Sequence, residues 1–448
     1  MQIIPGSNAK SRWQLTTRWA AIGTATVVTT ACLAGGVAAA STVSRSANAS
    51  SPTSLVIYNA DPTNAAYYNQ VDAAFAKANN VSVNLVSYPS DSFMQNYDAA
   101  IAGHTKLNLL LANGQNIAFM QQHGQLVPLT NLVPASVFRP SMLTPFYHNN
   151  KLWAYPAGSL ATSGVIYNMT LLAKFHLSPP TTFAQVIADG KILGPHGYSV
   201  LDAEGGTIYQ LVVWYMQTLE QATMGKEESV ATSTTTTGKP AFTSSVYVKA
   251  MNAIYELAKA PGVFEPGVGG VTETSAIALF DSGKAAAFYA GSWDLQPAVQ
   301  GATFPIGTGL FPTYVPGAPS GAAGGPSIVA AIYSGSPASY LPIEKKWVQY
   351  ITSAKVDAQL VSLEKAAFPI DAAVATPASA LVKTTPAYAS YTKQVLAKFV
   401  PVTFTFLDWI WPATTVTAMQ HAIQDVMGGQ MTAPAAMKSI QAAFTPVP

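Results

Sequence analysis

The 448-residue sequence contains a single cysteine, Cys32, and few charged residues. One cysteine excludes an intrachain disulfide and a metal site built from several cysteines. Asp, Glu, Lys and Arg make up only 10% of the chain, against roughly a quarter in an average soluble domain. The net charge of +2 comes without basic runs, which argues against nucleic acid as a partner. Few carboxylates also predict a fold that tolerates an acidic external medium, because little stability is lost when carboxylates become protonated.

The signatures of common enzyme classes are missing as well. The chain has no G-x-S-x-G, H-E-x-x-H, G-x-x-x-x-G-K-[ST] or complete G-x-G-x-x-G motif, and its six histidines lack the spacing of metal ligands. We therefore expect no catalysis, metal or cofactor. A secreted carbohydrate-active enzyme stays an alternative, because a glycosidase needs only two paired carboxylates. Such a pair could be drawn from Asp61, Asp91, Glu204 and Asp294.

The N-terminus resembles a secretory signal. Basic residues precede the apolar stretch "WAAIGTATVVTTACLAGGVAAA", as in the n-region and h-region of an export signal. Two processing routes compete: acylation at Cys32, as in a bacterial lipoprotein, or cleavage at the Ala-x-Ala site in "ANAS", Ala47 to Ser50. An uncleaved membrane anchor is a third route. We expect export to the extracellular face or periplasm, with contact to the membrane only through a possible lipid anchor.

Strand and helix patterns alternate after this segment. The apolar runs "SLVIY", "VSVNLV" and "LNLLLA" are separated by stretches with helical periodicity, which predicts βαβ units and a largely parallel sheet. With 49% hydrophobic residues over this length, we expect two lobes rather than one core.

Short polar residues follow each of these strands. They are Asn59 and Asp61 after the first, Asp91 after the second, and Asn113 and Gln115 after the third. Ligands of parallel sheets bind beyond the carboxyl ends of the strands, so these residues are candidates for ligand binding. Turn and helix-cap chemistry is the alternative explanation for each one alone.

The middle and the end of the chain resemble a known family. The stretch "HNNKLWAYPAGSLATSGVIYNMTLLAKFHLSPPTTFAQVI" follows the order and spacing of G-K-x-Y-G-x-P, then Y-N-K, then P-P-x-T-W. Further along, "ALFDSGKAAAFYAGSWD" is similar to F-x-x-G-K-A-A-M-x-x-x-G-x-W, and "GGPSIVA" to a Gly-Gly segment. The ordered set, from about Ser54 to the C-terminus, resembles the family-1, maltose-binding-protein-like solute-binding proteins of ABC importers.

The resemblance implies an α/β fold of the type II periplasmic-binding-protein kind, in which three hinge crossings join two lobes around a ligand cleft. By this resemblance the crossings lie near residues 157–162, 286–290 and 331–336. Residues 54–157 and 291–331 would then form the first lobe, and residues 160–286 and 336–448 the second, after an N-terminal segment of residues 1–50.

The resemblance also gives Trp293 a role. The segment "KAAAFYAG" would carry the chain back to the first lobe, and Gly291 and Ser292 would turn it so that Trp293 faces the cleft. A sugar packs its apolar C–H face on an indole, while its hydroxyls need directional hydrogen-bond partners. Core packing is the alternative for Trp293.

Further candidates come from both lobes. Glu204 corresponds to a polar cleft position in relatives, Asp294 follows Trp293, and either Trp409 or Trp411 reaches the ligand, with Trp409 as our candidate. Trp214 is expected in the core. The threonine-rich "ATSTTTTGKPAF" is expected to form a surface hairpin.

The sequence thus predicts a monomeric, non-enzymatic receptor that captures a mono- or oligosaccharide and delivers it to ABC transporter permease subunits. A binding protein for a polyamine or another small solute is the alternative within the binding class.

Overall fold

The computed structural model describes residues 53–138, 142–320, 323–364, 387, 390, 404–405 and 410–446. These residues fall within one compact unit, Pro52–Pro448. The predicted signal segment with Cys32 lies outside the described residues, and so does Trp409.

The strands fall into two larger sheets and a small hairpin. In chain order they are β1 Thr53–Asn59, β2 Val81–Ser87, β3 Leu109–Ala112, β4 Tyr147–His148, β5 Lys151–Leu152, β6 Tyr155–Pro156, β7 Leu160–Asn168, β8 Ser199–Asp202, β9 Ala285–Gly291, β10 Ile306–Gly309, β11 Ala323–Pro326, β12 Val329–Ile332 and β13 Phe404–Thr405.

The helices that connect and cover these strands vary from one and a half turns to about four turns. They are α1 Ala65–Asn79, α2 Ser90–Ala102, α3 Gly114–Gln122, α4 Met169–Lys174, α5 Phe183–Leu193, α6 Ile208–Ala222, α7 Glu227–Thr237, α8 Ser245–Ala258, α9 Glu273–Asp281, α10 Ser292–Gly301, α11 Leu341–Ile351, α12 Ala354–Glu364, α13 Ala413–Met427 and α14 Ala433–Ala443.

The first sheet has the order β2-β1-β3-β12-β6. β1 pairs in parallel with β2 and with β3, which confirms the βαβ pattern read from the sequence. All four residues of β3 are buried, as expected for a strand covered on both faces. α11 packs on β12 and α1, and α12 packs on α11. The Tyr67 hydroxyl of α1 donates to the Val356 carbonyl of α12 over 2.6 Å.

The second sheet has the order β13-β11-β7-β9-β8, with β10 also paired to β7. β7 is buried along all nine residues and pairs antiparallel with β9, β10 and β11. Helices α6, α8, α13 and α14 pack together beside it. Trp214 of α6 is fully buried, as the sequence predicted. Trp411 is fully buried as well, against Phe242, Tyr215 and Tyr247.

The chain passes between the sheets at short segments. The first passage lies between β6 and β7, at residues 157–159, which agrees with the crossing placed near residues 157–162. A second lies between β11 and β12, at residues 327–328. A third falls between α12 and β13, and most of that segment lies outside the described residues.

Two of the predicted crossings therefore lie elsewhere. Residues 286–290 form the middle of β9, which sits inside the second sheet between β7 and β8. Residues 331–332 end β12 in the first sheet, and α11 stays on that sheet. The small side chains of β9 allow close packing within a sheet, and this pattern does not distinguish an internal strand from a hinge strand.

The segment after β9 also differs from the expectation. α10 packs on β7, β9 and α9, and β10 pairs with β7, so these residues accompany the second sheet although residues 291–331 were expected in the first lobe. The threonine-rich stretch is not a hairpin: Glu227–Thr237 forms helix α7.

No helix among the described residues is long and apolar enough to cross a membrane.

Candidate functional site

The carboxyl ends of the first sheet's parallel strands lie at the edge where the chain leaves that sheet. Asn59, the last residue of β1, pairs with Leu111 of β3. The next residue of β3, Ala112, pairs with Val329 of β12, which also pairs with Pro156 of β6. Pro156 and Val329 flank the two short crossings, so the polar residues that follow β1 and β3 face the crossings.

The second sheet presents its own edge to the same crossings. Leu160, the first residue of β7, pairs with Pro326, the last residue of β11. Three residues further along β7, Ser163 pairs with Gly291, the last residue of β9. Thus the carboxyl end of β9 and the loop that follows β8 lie beside the crossings. Asn113 and Gln115 thus follow a strand at one hinge-side edge, and Glu204, Trp293 and Asp294 follow strands at the other.

Asn59 and Asp61 organise the turn between β1 and α1. Asn59 is fully buried, and its amide donates to the Asp61 carbonyl oxygen at 2.7 Å and to the Ser87 hydroxyl at 3.0 Å. The Asp61 carboxylate accepts from the backbone and side-chain nitrogens of Asn64 at 3.1 and 2.9 Å. Burial raises the pKa of Asp61, and the bonds from Asn64 oppose that rise. Much of the hydrogen-bonding capacity of both residues is therefore used inside the turn.

The other first-lobe candidates belong to helix starts. Asp91 lies in the first turn of α2, and its side chain is outside the described residues. Asn113 is the N-cap residue of α3 but makes no capping hydrogen bond with its side chain. Gln115 lies in the first turn of α3, and both Asn113 and Gln115 are half-buried. Asn113 and Gln115 thus remain partly accessible at the edge, while Asn59 does not.

Glu204 lies two residues after β8 and is fully buried. Neither of its carboxylate oxygens has a hydrogen bond of normal geometry within the described residues. Burial, followed by the negative charges of Asp294 and Glu273, raises the pKa of Glu204 well above its usual range, although the nearby Thr207 hydroxyl lowers it. An unpaired buried carboxyl is costly, and a protonated one can serve as a hydrogen-bond donor as well as an acceptor.

Asp294 lies near Glu204 and is 1% exposed. It occupies the first turn of α10, and its Oδ2 accepts from the backbone N–H of Gly291, the N-cap residue, at 3.2 Å. Its Oδ1 has no partner among the described residues. Burial and the neighbouring Glu273 raise the pKa of Asp294 well above its usual range, against the lowering effect of the Gly291 N–H. The structure thus brings together two of the candidates named from the sequence.

Trp293 is half-buried at the start of α10. Its indole folds back over Gly291, and its Nε1–H is buried without a hydrogen-bond partner among the described residues. The neighbouring Ser292 hydroxyl accepts from the Thr162 backbone N–H at 3.2 Å, which ties α10 to the start of β7. The indole therefore lies at the hinge-side edge of the second sheet, and its contact with a ligand stays a prediction.

Gln210 is a polar residue of this edge that the sequence reading missed. It lies in the first turn of α6, is fully buried, and has no hydrogen bond to either side-chain amide atom within the described residues. Two backbone hydrogen bonds connect Gln210 to Glu204. The Gln210 N–H donates to the Thr207 carbonyl, and the Thr207 N–H donates to the Glu204 carbonyl. In the sequence, Gln210 is marked only as a side-chain amide inside the apolar helical stretch "YQLVVWYM".

A pocket of about 440 Å³ lies between elements of both sheets, and we call it the threonine pocket. Its walls are formed by α3, by residues 144–149 and Trp153 in and around the β4–β5 hairpin, by α7 and by Ile410. The lining residues are Ile117, Ala118, Gln121, Gln122, Thr144, Pro145, Phe146, Tyr147, His148, Asn149, Trp153, Glu228, Thr232, Thr235, Thr236 and Ile410. None of these residues was predicted to have a function, because the threonine run was expected to form a surface hairpin.

The described residues contain no cluster of three or more His, Cys, Asp or Glu side chains that could hold a metal ion. The hinge-side edges carry two buried carboxyl groups, Glu204 and Asp294, beside half-buried amide groups and a half-buried indole.

Comparison with protein families decides the class. Residues 59–358 match the model for "Bacterial extracellular solute-binding protein". The chain belongs to this family. Family membership places it among exported binding proteins, and the resemblance read from the sequence motifs is confirmed. A comparison with curated protein sequences gives no match.

Solved structures show the same two-lobed fold at low sequence identity. The GacH receptor of Streptomyces glaucescens, solved unliganded and with acarbose, is similar with a TM-score of 0.70 and 18% identity over 88% of this chain and 97% of that one. A chitin oligosaccharide binding protein has a TM-score of 0.74 and 17% identity, over 87% and 98%. The solute-binding protein RafE in complex with raffinose has a TM-score of 0.69 and 15% identity, over 88% and 98%.

Proposed function

We propose that this solute-binding protein captures a sugar, a mono- or oligosaccharide, between its two lobes and delivers it to the permease subunits of an ABC importer. The observation that carries the proposal is the placement of two sheet edges at the hinge, one bearing Asn113 and Gln115 and the other bearing Glu204, Trp293 and Asp294. An apolar ring beside hydrogen-bonding groups suits a sugar, which has an apolar face and a rim of hydroxyls.

The similar structures support a sugar ligand. Their names record acarbose, chitin oligosaccharide and raffinose as bound or recognised compounds. A carboxyl that keeps its proton can both donate to and accept from the hydroxyls of a neutral polyol.

A cationic solute such as a polyamine is the second candidate. Glu204, Asp294 and Glu273 bring several carboxyls to one edge, and a bound ammonium group would lower their pKa values and hold them ionised. The same carboxyls are what a glycosidase would need, but membership in a family of binding proteins supports capture rather than hydrolysis.

We propose the following lobes from the pairing of the strands. The first comprises residues 53–157 and 328–364, and the second comprises residues 160–326 and 404–446. Closure of the lobes about the crossings would bring the two edges onto the ligand from opposite sides.

A thermal-shift screen tests the proposal. The purified chain would be heated with neutral mono- and oligosaccharides, with spermidine as the cationic probe, and with buffer alone. A binding ligand raises the unfolding temperature by mass action. A rise with at least one sugar and none with spermidine supports the proposal, while a rise with spermidine alone supports the cationic alternative.

We also propose that the segment of residues 1–50 directs export, followed by acylation at Cys32 or by cleavage near Ala47. Mass spectrometry of the mature N-terminus distinguishes the two, since a diacylglyceryl cysteine or a new N-terminus near Ser50 gives different masses. We expect the mature receptor to be a monomer, which light scattering measures.

A further inference from the structure

Helix α3 carries residues of both the predicted site and the threonine pocket. Gln115 and Ala118 are three residues apart on α3, and Gln122 is one turn further, so all three lie along one side of the helix. At 1.5 Å per residue, Gln122 is roughly 10 Å from Gln115 along the axis. Ala118 and Gln122 line the pocket. Helix α3 therefore carries Gln115 of the hinge-side edge in its first turn and pocket-lining residues in the turns that follow.

We propose that the threonine pocket holds the outer sugar units of a bound oligosaccharide, so that the ligand of this receptor is an oligosaccharide rather than a monosaccharide. This inference rests on the proposed function. It assigns a second part of the ligand site to residues that the sequence left without a role.

Aromatic surface is available in the pocket. Tyr147 of β4 lines the pocket and is 44% exposed, so part of its ring is accessible to a ligand. Trp153 lies beside the hairpin and is half-buried, and its Nε1–H donates to the His148 carbonyl at 3.3 Å. That bond fixes the indole against the hairpin. Tyr147 thus offers the accessible ring face on which a sugar could pack.

The threonines of α7 offer hydrogen-bond acceptors. The Thr235 hydroxyl donates to the Ala231 carbonyl at 3.0 Å, and the Thr236 hydroxyl donates to the Thr232 carbonyl at 2.9 Å. Because each hydroxyl hydrogen is used within the helix, the oxygen lone pairs remain for a donor in the pocket. The hydroxyl groups of a sugar are such donors, and the threonine methyl groups add an apolar surface beside them.

The size and the two-sided construction fit this role. About 440 Å³ lies within the range of ligand pockets, roughly 300 to 1,000 Å³. α3 and the hairpin accompany the first sheet, whereas α7 packs on α6 of the second. An oligosaccharide in the pocket would therefore contact both lobes and add to the free energy that favours the closed form.

The test compares ligand length with substitutions in the pocket. Titration calorimetry would use malto-, xylo- and chito-oligosaccharides of one to five units with the wild type, Tyr147→Ala and Thr236→Val. Thr236→Val keeps the shape and removes the acceptor. Tyr147→Phe and Thr236→Ser keep the proposed contacts, and Thr237→Val changes the same helix outside the pocket, because Thr237 does not line it.

We expect the wild-type affinity to rise about tenfold between the shortest sugar that binds and a ligand two units longer in the same series. Tyr147→Ala and Thr236→Val should each reduce that rise to about threefold or less and leave the shortest ligand within about twofold of its wild-type affinity. The three control variants should keep the rise.

Two results would overturn the inference. If a sugar binds but its affinity does not change with length, or changes equally in every variant, the pocket does not hold sugar units and the proposed function still stands. If no sugar of any length binds, both the proposed function and this inference are wrong.

Discussion

The Trp293 indole lies over the backbone of Gly291, two residues before it. A methyl group on the Gly291 Cα would sit 2.3 Å from Cη2, Cζ2 and Cζ3 of the ring, a distance that real side chains do not tolerate. The backbone of Gly291 is extended, with φ of −118°, so a side chain there would clash with the ring and would not strain the backbone. The fold-back holds the indole at the carboxyl end of β9.

Gly291→Ala should displace the indole. We expect a loss of about 1 to 3 kcal/mol of unfolding free energy, as for overpacking in a dense site, measured by urea unfolding. Gly270→Ala is the control, because a methyl group there meets nothing within 4 Å. In the double variant Gly291→Ala/Trp293→Ala the clash is gone, so its loss should be smaller than the sum of the single losses. Additive losses would show that the two residues do not interact.

Trp293→Ala should weaken sugar binding by about 2 to 4 kcal/mol, as for an aromatic residue that dominates an interface. Trp293→Phe should lose less. The indole is half-buried, so the loss of unfolding free energy should stay below the roughly 3 to 5 kcal/mol typical of a core tryptophan. Both quantities would be measured on the same variant, by urea unfolding and by calorimetry. Severe destabilisation with unchanged affinity would assign Trp293 to the core.

The described carboxyl groups with a perturbed pKa are all shifted upward, and burial is the first cause in each. They are Asp61, Asp72, Asp189, Asp202, Glu204, Glu227, Glu265, Asp281, Asp294 and Glu344. A carboxyl whose pKa is higher in the folded state binds its proton more tightly there, so the folded state is favoured as pH falls. The unfolding temperature should therefore rise as the pH is lowered from about 8 to about 5, between the raised and the ordinary carboxyl pKa values. An unfolding temperature that decreases as the pH is lowered over this range would contradict this prediction.

The contribution of one of these carboxyl groups, that of Asp72, can be tested separately. Its Oδ1 accepts from the Trp347 Nε1–H at 2.7 Å, its Oδ2 has no partner among the described residues, and burial raises its pKa to about 7. Stability from this group is complete below the ordinary pKa and is lost as the pH rises through about 7. Asp72→Asn keeps the acceptor and cannot ionise, so the decrease in unfolding free energy from about pH 5 to about pH 8 should be smaller by about 2 to 3 kcal/mol. An unchanged pH dependence would show that Asp72 ionises normally in the folded protein.

Ligand binding should close the lobes. The candidate residues lie on two edges joined by short crossings, so only a closed form can apply both edges to one ligand. We expect the radius of gyration from small-angle X-ray scattering to decrease at saturating sugar. A non-binding sugar at the same concentration is the control, and an equal radius in both samples would show that capture occurs without closure.

Much of the fold could be predicted because periodic apolar patterns report burial directly. Val416, Met419, Ile423 and Val426 recur at helical spacing ahead of Gly428, a pattern typical of one buried helix face, and α13 buries all four residues. The parallel pairing of β1 with β2 and β3 likewise followed from alternating strand and helix patterns.

The errors arose where composition has more than one structural outcome. Threonine is common in strands and hairpins, yet Thr234, Thr235 and Thr236 lie in helix α7, where their hydroxyls donate to carbonyls four residues earlier. The small residues of β9 suit both an internal strand and a crossing. At the site, no local pattern relates Glu204 to Asp294 across ninety positions, so their proximity follows from the pairing of β8 and β9 alone.

The most direct test of non-enzymatic sugar binding is a calorimetric titration with the sugar that gives the largest thermal shift. The sugar is then recovered from the sample cell of the calorimeter and analysed chemically. We predict one sugar bound per chain with a dissociation constant at or below about 1 μM, near −8 kcal/mol, and recovery of the sugar intact. Absence of binding heat with every sugar, or recovery of shortened sugar with new reducing ends, would contradict the claim that this protein is a non-enzymatic sugar receptor.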